Sequence, residues 1–288
     1  MIDPQILQKV HDLELHVRRL MRGLRTGDVH SKIKGIGFEF NQIREYQQGD
    51  DVRFIDWKGS ARSGKMLVKE CFEEQKRTIV IMIDGSSTEF YGSQEHLKFS
   101  IMAQAAGALA LAGTWHKDRV SIVVVTDETE LVLPAKTGKR AVYAMIEKLF
   151  ATNPSGKQPS LSPIFKSLVE RFKRDALVFI LSDFLNTQWE DEIKKVSRRF
   201  ELVAIRCLDR NEKSLSLFGP LTMVDMNRSE PLMLSSRQMK QFHFDFAQRL
   251  SKQKKTLERY GVACLDIEST QDFIEDMIMF LKTRLRRR

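Results

Sequence analysis

Cysteine is scarce in this chain, and its placement suits neither metal binding nor cross-linking. Cys71, Cys207 and Cys264 are the only three in 288 residues. None has a neighbour at metal-ligand spacing, which argues against a zinc site, and an odd, scattered set argues against a disulfide framework. The segment Met1-Ile2-Asp3-Pro4-Gln5 has no basic region followed by an apolar stretch, so no secretory leader is expected and the location is read as cytoplasmic. Long uncharged runs are also lacking, apart from Phe99 to His116. That stretch is rich in Ala and Gly and contains Gln104, which suits a closely packed core helix better than a transmembrane span. Internal repeats and low-complexity segments are absent.

Several catalytic signatures are missing too. There is no Gly-x-Ser-x-Gly elbow, and the six histidines are scattered, which disfavours a Ser-His-Asp hydrolase. Gly35-Ile36-Gly37 has neither a third glycine nor a preceding strand, so it is no dinucleotide fingerprint. The net charge of +9 is mostly interleaved with acidic residues, and only Arg284-Leu285-Arg286-Arg287-Arg288 forms a basic cluster. No aromatic residues alternate with basic ones as in single-strand binders, so nucleic acid is not the expected partner.

What is present is a sequence with 42% hydrophobic residues, arranged in alternating strand and helix patterns. Ile79-Val80-Ile81-Met82-Ile83 reads as a buried strand of a parallel sheet. Further core strands are expected at Arg119–Thr126, Ala176–Leu181, Glu201–Leu208 and Val262–Ile267, with helices between them. Leu221 to Val224 and Pro231 to Leu234 read as a hairpin or edge pair. This alternation predicts an α/β, doubly wound, mostly parallel sheet with helices on both faces, over residues 78–288. Before it, residues 1–77 supply an N-terminal helix, Pro4 to Arg25, and a short polar β/loop block expected to pack on the core.

Ligands of such sheets sit beyond the carboxyl ends of the strands. The central strand ends in Asp84-Gly85-Ser86-Ser87-Thr88, where Asp84, Ser86 and Thr88 offer oxygens at i, i+2 and i+4. Those donors suit a hard cation such as Mg²⁺ or Mn²⁺. The same hydroxyls also suit the simpler task of turning the chain and capping the next helix. A second strand ends in Ser182-Asp183, which a parallel sheet would place on the same edge. Ser162, ahead of Pro163, can add a third hydroxyl or simply cap its helix. An aspartyl-phosphate enzyme would want a second carboxylate where Ser86 stands, and two-metal nucleases want more acids than this. The polar block carries Arg44, Glu45, Tyr46, Asp50, Asp51, Arg53, Asp56, Trp57 and Arg62. It is expected to form a network of charged hydrogen bonds anchored by Trp57, either as a structural corner or as a docking surface.

The stretch from Gly37-Phe38-Glu39-Phe40 through Arg44-Glu45-Tyr46, Gly49-Asp50-Asp51-Val52-Arg53 and Ile55-Asp56-Trp57 to Ser60-Ala61-Arg62 resembles a known family. These are the von Willebrand factor A-like bacterial proteins of the domain of unknown function numbered fifty-eight, which accompany MoxR-type AAA+ ATPases. Asp84-x-Ser86-x-Thr88 looks like the metal-ion-dependent adhesion site of A-type domains, and Ser182-Asp183-Phe184 looks like its third loop. At the middle loop the chain departs from the family, with Ser162-Pro163-Ile164 in place of a Thr-Asp-Leu context. The resemblance implies a non-enzymatic, chaperone-like adaptor that binds Mg²⁺ or Mn²⁺ through Asp84, Ser86, Thr88, Ser162 and Asp183. An acidic side chain of a partner would complete the ion's coordination. The implied partners are a MoxR-type ATPase and other von Willebrand factor A-like proteins, with no small-molecule substrate. The alternative from a different class is a metal-dependent phosphate-ester hydrolase in the same crevice, with Asp183 or His96 as base.

Overall fold

The computed structural model describes residues 38–73, 77–90, 92, 97–115, 117–126, 129–154, 160–173, 176–185, 189–209, 212, 221–224, 231–268 and 273–286. The expected helix over Pro4 to Arg25, the Gly35-Ile36-Gly37 segment, His96, His116 and the side chains of the terminal arginines lie outside the described residues. Two compact units are present, one within Arg25–Lys76 and one running from Arg77 onward.

In the smaller unit, strand β1 (Phe38–Glu45) runs through what the sequence suggested as a polar block. A helix, α1 (Trp57–Ser63), and a second strand, β2 (Leu67–Glu73), follow. The strands pair antiparallel, with an irregularity between Phe40 and Gln42, and Ile55 bridges to Val68. Arg44 grips Asp50 with both guanidinium nitrogens, at 2.7 and 2.6 Å, and Arg53 does the same to Asp51 within its own turn. Glu45 pairs with Lys65, and Asp56 lies 3.8 Å from Lys69. Among the described residues these charges are met in local pairs. Trp57 is 68% exposed on a helix with no buried residue, so among the described residues it is not the buried anchor expected. Arg62 is exposed, and Tyr46 is half-buried with its amide donating to Met66 O at 2.9 Å.

The larger unit begins with β3 (Thr78–Asp84) and continues through α2 (Lys98–Trp115), β4 (Arg119–Val125), β5 (Thr129–Lys136), α3 (Lys139–Phe150), α4 (Ser162–Arg171), β6 (Leu177–Ser182), α5 (Glu190–Val196) and β7 (Glu201–Leu208). A small antiparallel pair, β8 (Leu221–Val224) and β9 (Pro231–Leu234), precedes α6 (Ser236–Arg259), β10 (Ala263–Glu268) and α7 (Phe273–Arg286). The main sheet has the order β10-β7-β6-β3-β4-β5; every neighbouring pair is parallel except β4 with β5. That is the doubly wound order, with its switch point between β3 and β6.

Both faces of the sheet are covered, because successive side chains of a strand point to opposite sides. Ile79, Ile81 and Ile83 pack with α2, α3 and α7, while Val80 and Met82 pack with α4, α5 and α6. Helix α2 is apolar nearly all round, as its uncharged run predicted, and it lies hard against the sheet. A Cβ on Gly113 would come within 2.9 Å of Val120 Cγ2 and 3.1 Å of Ile79 Cδ1. Among the described residues no helix is long and apolar enough to cross a membrane.

Candidate functional site

The switch point brings together the ends of β3 and β6, where the sheet edge splits toward helices on opposite faces. Asp84 closes β3 and is 3% exposed. Its Oδ1 accepts the Ser86 amide at 2.9 Å, and its Oδ2 accepts the Ser182 hydroxyl at 2.8 Å. That second bond ties the two strand ends into one crevice. Gly85 is needed at this turn for space, since a Cβ there would meet Pro154 Cβ and Thr126 Cγ2, each at 2.9 Å. The chain then tightens into a short 3-10 turn, Ser87–Phe90, which sets the Ser86 and Thr88 hydroxyls 3.3 Å apart.

The same turn drives Glu89 into the interior, where it is completely buried. Glu89 Oε1 accepts the Asp183 amide at 2.8 Å, while its Oε2 has no hydrogen-bond partner. Asp183 follows β6 and turns sharply. Its Oδ1 accepts the Leu185 amide at 2.9 Å, and the Ser182 hydroxyl accepts the Phe184 amide at 3.0 Å. Phe184 takes φ +55°, a left-handed conformation uncommon for a bulky side chain and found where surrounding packing enforces it. Here that enforcement comes from burial of the ring, edge-on to Trp189, and from Gln253 Nε2 of α6, which donates to Phe184 O at 2.7 Å. Gln253 is itself held by Arg206, whose buried guanidinium also forks onto Asp266 at 2.7 and 2.8 Å.

The remaining oxygen of Asp183, Oδ2, accepts a charged hydrogen bond from Lys98 Nζ at 2.8 Å, and the same ammonium reaches Glu212 Oε1 at 3.0 Å. Lys98 is 1% exposed. Burial works against its charge, but Glu89, Asp183 and Glu212 together outweigh burial and hold its pKa above the ordinary lysine value. Asp84 moves the other way for a carboxylate's charge. Burial, and then the nearby Asp183 charge, push its pKa up to about 6 despite the Ser86 and Ser182 hydrogen bonds. Glu89 is also pushed well up, chiefly by burial.

Of the residues expected at this site, Asp84, Ser86, Thr88 and Asp183 therefore converge. Ser162 is exposed, and its hydroxyl donates to Glu192 of α5 at 2.5 Å. It is not the helix cap: Leu161 occupies that position without a side-chain bond, and the Ser162 amide is met by Ser160 Oγ at 3.3 Å. Sequence reasoning missed Glu89, Lys98, Glu212 and Gln253. Only Lys98 carried a signal, as a cation opening an otherwise uncharged helix at the end where the macrodipole disfavours it.

As a cation site the crevice has the right chemistry. Two hydroxyls and two carboxylates are oxygen donors, and three acids, Asp183, Glu212 and Glu89, face a single ammonium. Among the described residues no three Asp, Glu, His or Cys side chains form a ready-made cage. The donor set therefore fits an ion that keeps several waters, as Mg²⁺ does.

The strand order, with its antiparallel edge strand β5, and the Asp84 loop at the switch point define a doubly wound α/β domain with its candidate site at the carboxyl edge of the sheet. Residues 42–256 match the family described as protein of unknown function DUF58, and the chain belongs to that family. Among relatives, it is 24% identical over 291 residues to the uncharacterised protein Rv1480 of Mycobacterium tuberculosis, covering 99% of this chain and 91% of that one. Similar solved structures include the conserved hypothetical protein BatB from Bacteroides thetaiotaomicron, at 9% identity and a TM-score of 0.47, spanning 74% of this chain and 100% of that one. The SpRpn10 VWA domain is similar at 10% identity and a TM-score of 0.41, over 70% and 94% of the two chains.

Proposed function

We propose that this protein is a non-enzymatic interaction module that grips an acidic side chain of a partner through a divalent cation. Asp84, Ser86, Thr88 and Asp183 would hold the ion, Mg²⁺ or Mn²⁺, directly or through water, with Ser162 the outlying donor. The partner's carboxylate would fill the remaining coordination position. The observation that carries this reading is the Ser182 to Asp84 hydrogen bond at 2.8 Å, which joins both acid-bearing strand ends in one electronegative crevice. The family resemblance supplies the partner class, a MoxR-type AAA+ ATPase. A phosphate-ester hydrolase in the same crevice would need a free general base, and Asp183 is already engaged by Lys98 and the Leu185 amide.

The test is a binding titration of the chain with a MoxR-type ATPase, with Mg²⁺ and after chelation. Asp84→Ala and Thr88→Ala are expected to weaken binding at least about tenfold, on the scale of losing one charge-assisted contact. Chelation should weaken the wild type equally and leave the Asp84→Ala variant unchanged. Wild-type affinity in both variants would end this reading.

A further inference from the structure

Lys98 is placed at odds with local physics. It is the first residue of an 18-residue helix, where the macrodipole is positive, and it is buried. A lysine without a task there would be costly, because a buried ammonium is tolerated only with compensating charge. Its two bonded partners are Asp183, one of the metal donors proposed above, and Glu212, which stands outside that donor set. A third acid, Glu89, is also near the ammonium, and among the described residues it keeps a buried oxygen with no hydrogen-bond partner. Buried carboxylate oxygens in that state are rare, and each calls for an explanation.

Resting on the cation-binding reading, we infer that Lys98 is a built-in competitor for the divalent ion, occupying Asp183 when the crevice is empty and yielding it when the ion arrives. The cluster holds a place for the displaced ammonium. It keeps Glu212, at 3.0 Å, and turns from Asp183 Oδ2 toward the unpartnered Glu89 oxygen. In the exchange the ion takes over neutralisation of Asp183, while the ammonium turns to donate to the Glu89 oxygen. The ion therefore binds against an internal rival. Affinity for the bare ion is held down, and a partner carboxylate that adds to the coordination tips the balance. In this scheme Glu212 is a positioning residue, since it acts only by retaining Lys98.

Two measurements test the exchange. The first is Mn²⁺ titration, following depletion of the free-ion electron paramagnetic resonance signal, on wild type, Lys98→Met and Asp84→Ala. Lys98→Met is expected to bind Mn²⁺ at least about tenfold more tightly, the scale of removing one competing charge at hydrogen-bond distance. A lysine that merely stabilises the fold would give unchanged or weaker binding. The second needs no substitution that risks folding. In ¹⁵N-lysine-labelled wild type, Mg²⁺ should shift the Lys98 ammonium resonance in step with binding. Asp84-dependent Mn²⁺ binding with an unmoved ammonium resonance, or with no tightening in Lys98→Met, would overturn the exchange while leaving the cation site standing. Failure of both wild type and Lys98→Met to bind Mn²⁺ would remove the cation reading, and the exchange with it.

Discussion

Asp84 shows how one residue carries the conflict of the site. Its folded pKa, about 6, lies above the 3.8 of an unperturbed aspartate. Between these values the folded protein holds a proton that the unfolded chain has released, so stability falls with rising pH. The contribution is fully present below 3.8 and lost as pH rises through about 6. In metal-free buffer, urea unfolding should show wild type losing up to about 3 kcal/mol relative to Asp84→Asn between pH 4 and pH 7.5, the equivalent of the shift. Glu89 pulls in the same direction in both proteins, and part of its own shift comes from the Asp84 charge, so the difference reports Asp84 together with that coupling. A parallel pH dependence in the two would show that Asp84 is ionised without strain. Asp84, Ser86, Thr88 and Asp183 were legible in the sequence because each sits at a strand end, where a run of β-branched residues stops at a hydroxyl or an acid. Glu89 and Glu212 were not legible. A lone glutamate in a polar segment looks like surface until the fold buries it.

At the scale of elements, the crevice depends on how closely neighbouring loops approach. Gly85 is pressed between Pro154 and Thr126, so a methyl group there forces backbone or proline to shift. Gly85→Ala should destabilise the fold by about 1–3 kcal/mol in urea unfolding, as overpacking does. It should also weaken Mn²⁺ binding by moving Ser86. An alanine variant of wild-type stability would mean that the Pro154 segment gives way freely. Strands and helices of the main sheet fell close to where hydrophobic periodicity placed them, since buried parallel strands are continuous apolar runs. The smaller unit was harder to read. Its helix α1 mixes charged and small residues and buries none of them, so no helical period shows, and Trp57 looked like an anchor only because large aromatic residues usually are. Ser162 looked like a cap because it precedes proline, but the Ser160 hydroxyl meets its amide instead.

For the whole molecule, a ligand that binds only the folded state raises its melting temperature once the ligand concentration passes the dissociation constant. In a Mg²⁺ and Mn²⁺ series, melting of wild type should rise by roughly 5–10 °C at a hundredfold excess over that constant, and Asp84→Ala should not respond. A flat wild-type response would place ion binding, if any, in the partner complex and turn attention to the paired charges of the smaller unit.

The sequence by itself determined the doubly wound sheet, the buried α2 and the strand-end acids, because each is written in local periodicity and in the residue at which a run stops. Only the tertiary structure decided what those acids face. Helix α2 brings Lys98 to Asp183 across 85 residues of chain, and Glu212 meets the same ammonium across 114. Gln253 of α6 holds the strained turn at Phe184. Contacts at such separations leave no mark on local pattern. They exist because packing the two faces of the sheet brings distant chain ends to one edge, where burial makes every charge dependent on its neighbours.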